Sequence, residues 1–173
     1  SEREAGDQIL HINNMSKSLD GEKLFSNLNL NVTKGDKIAL ISKNDLATSA
    51  LYEILNGFSE PDTGDFKFGQ TITTGYLPNE NEEFFNDQQS LIDWLRQFSS
   101  NKDEVYIRGF LGKMLFSGEE TFKMANVLSG GEKVRCMISR MMLKGGNFLM
   151  LDEPTNHLDL ESIQAFNNAL INF

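Results

Sequence analysis

The chain has 173 residues and a mass of 19.5 kDa, with 39% hydrophobic and 24% charged residues, enough material for one compact core and rarely for two. Sixteen Lys and Arg stand against 25 Asp and Glu, giving a formal charge of -9 and a pI of about 4.7; bulk neutralisation of phosphates, and so direct nucleic-acid contact by this segment, is not expected. One Cys and two His exclude a disulfide framework and a clustered Cys/His metal site, and no apolar run is long enough to span a bilayer, so a reducing, cytoplasmic setting without membrane contact is expected.

The opening residues SEREAGDQ are polar, mixed in charge and without an initiator Met; residues 1–7 read as the tail of a linker, and the chain as a fragment. Ile9, Leu10 and Ile12, then Leu24, Phe25, Leu28, Leu30 and Val32, mix alternation with short apolar runs on either side of Asp20-Gly21, which predicts strands of a small antiparallel sheet. Gly35-Asp36 turns into Lys37-Ile38-Ala39-Leu40-Ile41, the apolar run of a strand buried on both faces of a parallel sheet. After a polar loop from Ser42 to Leu46, Leu51, Ile54 and Leu55 place a helix over Ala47 to Leu55, ending at Gly57. Pro61-Asp62-Thr63-Gly64 is a turn before two more strands, one with Phe66 and Phe68, one with Ile72, Tyr76 and Leu77. Leu91, Trp94, Leu95 and Phe98, and then Ile107, Phe110, Leu111, Met114 and Leu115, recur at helical spacing and predict a helical subdomain over about 86–127. Val134, Met137, Ile138, Met141 and Met142 mark another helix, with Cys136 in its core stripe and Gly145-Gly146 at its end. Phe148 to Leu151 is a second doubly buried strand, and a last helix runs from about Leu160 to Leu170.

The chemistry concentrates in Leu128-Ser129-Gly130-Gly131-Glu132 and in the run from Phe148 through Asp152-Glu153-Pro154-Thr155-Asn156-His157-Leu158-Asp159. Ser129 and Glu132 form an S-x-x-E capping box, which needs no function. The two glycines in the first helical turn are different, because each weakens the helix by roughly 0.5–1 kcal/mol against Ala; they point to another molecule approaching the backbone. A helix start with bare N–H groups and no Cβ in the way suits a phosphate. An acidic residue ending a buried strand, Asp152, suits Mg²⁺ held through its hydration shell, and the adjacent Glu153 suits a base orienting a water for in-line attack on phosphorus.

LSGGE followed by DEPTNHLD resembles the signature, Walker B and D-loop motifs of ABC-type ATPases. The wording DEPTNHLD and the preceding GFLGKMLFSGEE are similar to the ABC-F group, soluble proteins that act on the ribosome, and the chain most resembles the second of two cassettes in a YbiT-like member. The resemblance covers essentially the whole chain. It implies an α/β fold of the ABC nucleotide-binding type, with a P-loop NTPase core sheet, an antiparallel β subdomain and an α-helical subdomain, as a single cassette over 1–173 that is C-terminally incomplete, stopping before the family's switch His. It implies ATP and Mg²⁺ as cofactors and a second cassette of the same protein, arranged head to tail, as partner. Glu153 would be the catalytic base, and Ser49, Asn79 and Asp152 would serve the metal. Ser129, Gly130, Gly131 and Glu132 would close on nucleotide held by the partner.

The phosphate loop departs from the family pattern G-x-x-x-x-G-K-[ST]. The aligned stretch is Ser42-Lys43-Asn44-Asp45-Leu46-Ala47-Thr48-Ser49: both motif glycines are gone, Thr48 stands at the Lys position, and Asp45 adds negative charge. Leu19 falls near the position of the family's adenine-stacking aromatic, and Lys43 reads as an exposed loop lysine. His157 belongs to the D-loop rather than to the switch, and His11 is structural or exposed. Weak nucleotide binding at this loop is expected, with the domain acting chiefly as lid and switch of a partner site. A nucleotide-binding subunit of a membrane transporter and a catalytically silent interaction module are the alternatives.

Overall fold

The computed structural model describes residues 7–172, so the linker tail expected at 1–7 lies outside the described residues except for Asp7, as does Phe173. The described residues divide into two compact units, one running to Tyr76 and taking in Asn147–Asp152, the other comprising Leu77–Gly146 and the chain from Glu153 onward.

In the first unit, β1 (Gln8–Leu19) and β2 (Glu22–Thr33) form the expected antiparallel hairpin, pairing from Leu19 opposite Glu22 to Gln8 opposite Thr33. Asp20 and Gly21 both adopt positive φ, +49° and +82°, the turn whose twist matches that of the flanking strands. β3 (Thr63–Phe68) pairs antiparallel on the other edge of β1, giving the order β2-β1-β3. Helix α1 (Asp45–Leu55) contributes Leu51, Ile54 and Leu55 to a core shared with Ile9, Leu10, Ile12 and Met15 of β1, Val32 of β2 and Met150.

A second, two-stranded sheet joins β4 (Thr74–Leu77) to β5 (Phe148–Leu151). Asn147 stitches it at one end: its side chain accepts from the Thr73 N–H at 2.8 Å and donates to the Thr71 carbonyl at 2.8 Å, while its own N–H donates to the Thr73 carbonyl at 2.9 Å. Asn147→Ala removes both side-chain hydrogen bonds, each worth about 0.5–1.5 kcal/mol net, and a loss of about 1–3 kcal/mol in urea unfolding is expected, with faster amide exchange at Thr73.

Two strand expectations are corrected. Residues 37–41 form no strand; Ile38 and Leu40 are 46% and 36% exposed and Ile41 is 97% exposed. Apolar composition supplies the side chains of a buried strand but not its ladder, and among the described residues no neighbouring strand pairs with this segment. β5 has the expected bounds, yet only Met150 is buried, its neighbours being half-buried, because a two-stranded sheet offers too little cover for both faces. Ile72 falls just outside β4.

The second unit is helical: α2 (Leu91–Arg96), α3 (Glu104–Lys113), α4 (Gly130–Lys144) and α5 (Leu160–Ile171) match the predicted periodicities within a few residues. Leu91, Trp94, Leu95, Ile107, Leu111, Met114, Cys136, Met137 and Ile138 are among its buried residues. Trp94 stacks on Phe85 with centroids 4.8 Å apart, and its indole N–H donates to the Phe84 carbonyl at 2.6 Å. Three short 3₁₀ turns, Glu82–Phe85, Gly118–Phe122 and Ala125–Val127, carry no periodic signal and are seen only in the structure. Among the described residues no helix is long and apolar enough to cross a membrane.

Candidate functional site

In the first unit, Ser49 on α1 donates its hydroxyl to Asp152 Oδ2 at 2.5 Å, so two of the three expected metal residues meet; Asp152, at the end of β5, is only 5% exposed. Both are hard oxygen donors of the kind Mg²⁺ takes. Tyr52 and Tyr76 lie around the same carboxylate: burial first, and then the Asp152 charge, pushes both phenols up, Tyr76 to about 12. Asn79, the third expected metal residue, is an exposed position two residues past β4, in the second unit.

The loop ahead of α1 is satisfied by its own side chains. Asn44 caps the helix, accepting from the Leu46 N–H at 2.9 Å, and its Nδ2 donates to Glu22 Oε1 at 3.0 Å. Ser42 Oγ accepts from the Asn44 N–H at 3.2 Å. Asp45 occupies the first helical position, exposed, while Thr48 is half-buried and Ala47 buried in the helix. Lys43 is exposed and has no partner among the described residues. Two carboxylates, Glu22 and Asp45, and an Asn oxygen therefore stand where phosphate oxygens would need positive charge. The loop does not fit a nucleotide's phosphates. Asn-Asp ahead of a helix is an ordinary cap signal; the contribution of Glu22 comes from pairing in the fold and has no local sequence sign.

In the second unit, Ser129 caps α4. Its hydroxyl accepts from the Glu132 N–H at 3.3 Å and its own N–H donates to Glu132 Oε1 at 3.2 Å, completing the capping box. Lys123 pins the other carboxylate oxygen at 2.8 Å, so Glu132 faces its own helix start. The Gly130 and Gly131 N–H groups have no partner among the described residues. The reason for the glycines is in part corrected: a Cβ on Gly131 would stand 2.7 Å from the carbonyl oxygen of His157, so the close approach that demands glycine there comes from the same chain. A Cβ on Gly130 would meet only the His157 ring, at 4.0 Å, and Gly130 stays exposed. Glu153, at φ +48°, lies with Thr155 and Asn156 in an open polar depression; the Asn156 N–H donates to its carbonyl at 3.0 Å and the Asn156 amide to its carboxylate at 3.4 Å. Cys136 is fully buried, and burial pushes its thiol up, away from reactivity.

Burial pushes the Glu132 carboxyl up, but hydrogen bonds from Lys123 and Ser129 outweigh it and leave it below its ordinary value of 4.5. The same Glu132 contact raises the Lys123 ammonium above 10.5. A depressed carboxyl stabilises the fold above its unfolded pKa and loses that contribution as pH falls through the lower folded value; a raised ammonium contributes below its unfolded pKa and loses it as pH rises through the higher folded value. Amide-exchange protection at the start of α4 is therefore expected to hold through neutrality and to fall as the pH drops below 4.5, a step that Glu132→Gln removes.

An antiparallel β unit with a helix-borne hydroxyl against a strand-end carboxylate, together with a helical unit whose longest helix opens on Ser-Gly-Gly-Glu, is the fold of an ABC ATPase nucleotide-binding domain. The profile of the ABC transporter family matches residues 25–156, and the chain belongs to that family as an ATP-binding domain. It is 52% identical over 99% of its length to the ABC transporter ATP-binding protein YkpA of Bacillus subtilis (strain 168), covering 32% of that protein. It is 38% identical over 93% of its length to the ATP-binding protein YbiT of Escherichia coli O157:H7, covering 31% of it, and 30% identical over 97% to the energy-dependent translational throttle protein EttA of Escherichia coli (strain K12), covering 31%. The chain thus spans about a third of the length of the curated relatives it matches. Among solved structures, an ABC transporter ATP-binding protein from Pyrococcus furiosus superposes with a TM-score of 0.76 at 17% identity, over 94% of this chain and 84% of that one.

Proposed function

We propose that residues 1–173 form one cassette of a cytoplasmic ABC-F protein that couples ATP binding and hydrolysis to translation on the ribosome, and that this cassette chiefly closes the ATP site of a second, head-to-tail cassette. The observation that carries the reading is the contrast between its two helix starts: α1 is filled by Asn44, Asp45 and Glu22, whereas the N–H groups of Gly130 and Gly131 at the start of α4 have no partner among the described residues. DEPTNHLD and the similarity to a relative named as a translational throttle support the ABC-F and ribosomal part.

In this reading Ser129, Gly130 and Gly131 hold the terminal phosphoryl end of a nucleotide carried by the partner cassette, which fits their amides and the dipole of α4. When bound there, ATP supplies the anhydride whose cleavage separates closed from open states. Ser49 and Asp152 would serve Mg²⁺, while Asn79 and Glu153 keep the metal-sensing and base roles that the family resemblance gives them. Glu132 holds the signature turn through its capping box with Ser129. A transporter subunit is the second reading, favoured by the family's description and by the name of YkpA; it requires a membrane partner that co-purifies with the full-length protein. The test of the leading reading is steady-state ATP turnover of the full-length protein carrying Ser129→Arg. Loss of turnover is expected, and unchanged turnover removes the lid role.

A further inference from the structure

We infer that His157 is a positioning residue that locks the signature turn to the Glu153 turn, so that residues 129–131 and 153–157 move as one block. The inference rests on the proposed role of the signature turn for its functional consequence, but its structural content concerns this chain alone.

Three observations carry it. The His157 carbonyl oxygen occupies the place of a Gly131 Cβ, 2.7 Å from where that atom would stand, an approach no other residue at 131 allows without movement. His157 is held at φ +66° and Glu153 at φ +48°, left-handed conformations that a non-glycine residue keeps only when its surroundings over-determine it. Between them, Asn156 ties back to Glu153 through its N–H at 3.0 Å and its side chain at 3.4 Å, and the Leu158 N–H donates to the Thr155 carbonyl at 3.2 Å. Beyond His157, Asp159 caps α5, and its carboxyl is held low by Ser162 and, to a lesser degree, by Arg135 of α4. The turn is thus anchored at both ends and pressed against the start of α4 at its middle.

The consequence is a mechanical link. A ligand seated on the Gly130 and Gly131 amides fixes the helix start, and the helix start fixes the carbonyl of His157 and, through Asn156, the carboxylate of Glu153. The retained Glu153 of a cassette with a filled phosphate loop then has a use: its orientation follows the occupancy of the signature turn. The contact is made by the His157 main chain, so the imidazole ring is dispensable while the left-handed φ is not.

The chain has two histidines, His11 and His157, so its ring signals are few in a ¹H–¹³C spectrum. In the nucleotide-free 173-residue chain, Gly131→Ala is expected to shift the His157 ring signal and the Glu153 and Asn156 amides, leaving His11 in place. His157→Gly, which keeps φ positive, should preserve the slow exchange of the Lys133 amide, which donates to the Ser129 carbonyl at 2.9 Å, and His157→Ile, which disfavours that φ, should speed it at least tenfold. Undisturbed residues 153–157 in Gly131→Ala, or equal exchange in the two His157 variants, overturns the inference. In the full-length protein His157→Gly should retain turnover and His157→Ile should lose kcat with little change in KM; a loss of equal size in both variants also overturns it. Ser129→Arg without effect on turnover, alongside the expected exchange pattern, would instead count against the partner-site reading and leave the block intact.

Discussion

Ser129→Arg in the full-length protein is expected to lower ATP turnover by about 100-fold or more, the scale typical of removing one preorganised donor from a developing negative charge. Ser129 stands exposed at the start of α4, where its hydroxyl holds the Glu132 N–H and its N–H holds the Glu132 carboxylate. An arginine there removes the cap and lays a long side chain across the Gly130 and Gly131 amides, the two donors that have no partner among the described residues. Stability should suffer much less, since loss of a Ser cap costs about 1 kcal/mol. Urea unfolding therefore separates a folding defect from a lost contact, and Ser129→Thr, which keeps the hydroxyl, should retain most of the turnover. Full activity in the arginine variant would mean that the α4 start does not face nucleotide.

The second large effect is a gain. Asp45→Gly, Ala47→Gly and Thr48→Lys together restore the second glycine and the lysine of the phosphate-loop pattern and remove the Asp45 carboxylate, and titration of the chain with a fluorescent ATP analogue should show affinity rising ten- to more than a hundredfold. A charged hydrogen bond of about 1.5–3 kcal/mol is the source, with removal of the Asp45 carboxylate adding to it. The gain has a limit set by the structure, because Asn44 still occupies the Leu46 N–H and Glu22 still holds Asn44. Adding Glu22→Gln and Asn44→Gly should raise affinity again. Ala47 is buried within α1, so the glycine there costs about 1 kcal/mol of stability, visible as a lower urea midpoint. Micromolar binding by the unsubstituted chain would contradict a filled loop, and so would a triple variant no tighter than the parent.

The α/β class, the hairpin, four of the five main helices within a few residues of their bounds, and the start of α1 within two residues were legible because local signals suffice for them. Period 3.6 in Leu91 to Phe98 or in Val134 to Met142, a turn pair such as Asp20-Gly21, and a cap three residues ahead of a carboxylate are all contained within a dozen residues. The segment Ile38 to Ile41 has the composition of a buried strand and none of its partners, so its state could only be decided by what lies beside it.

The functional residues divide in the same way. Sequence by itself determined the family, through LSGGE and DEPTNHLD, and the loss of the phosphate-loop lysine and glycines at Thr48, Ser42 and Ala47. Tertiary structure alone decided that Ser49 meets Asp152 from 103 positions away, that Glu22 closes the loop through Asn44, and that the glycine at 131 serves the carbonyl of His157. The reason is physical: a motif records which side chains are present at fixed spacing, whereas the demand for a missing Cβ or a paired carboxylate is set by atoms that folding brings from elsewhere in the chain.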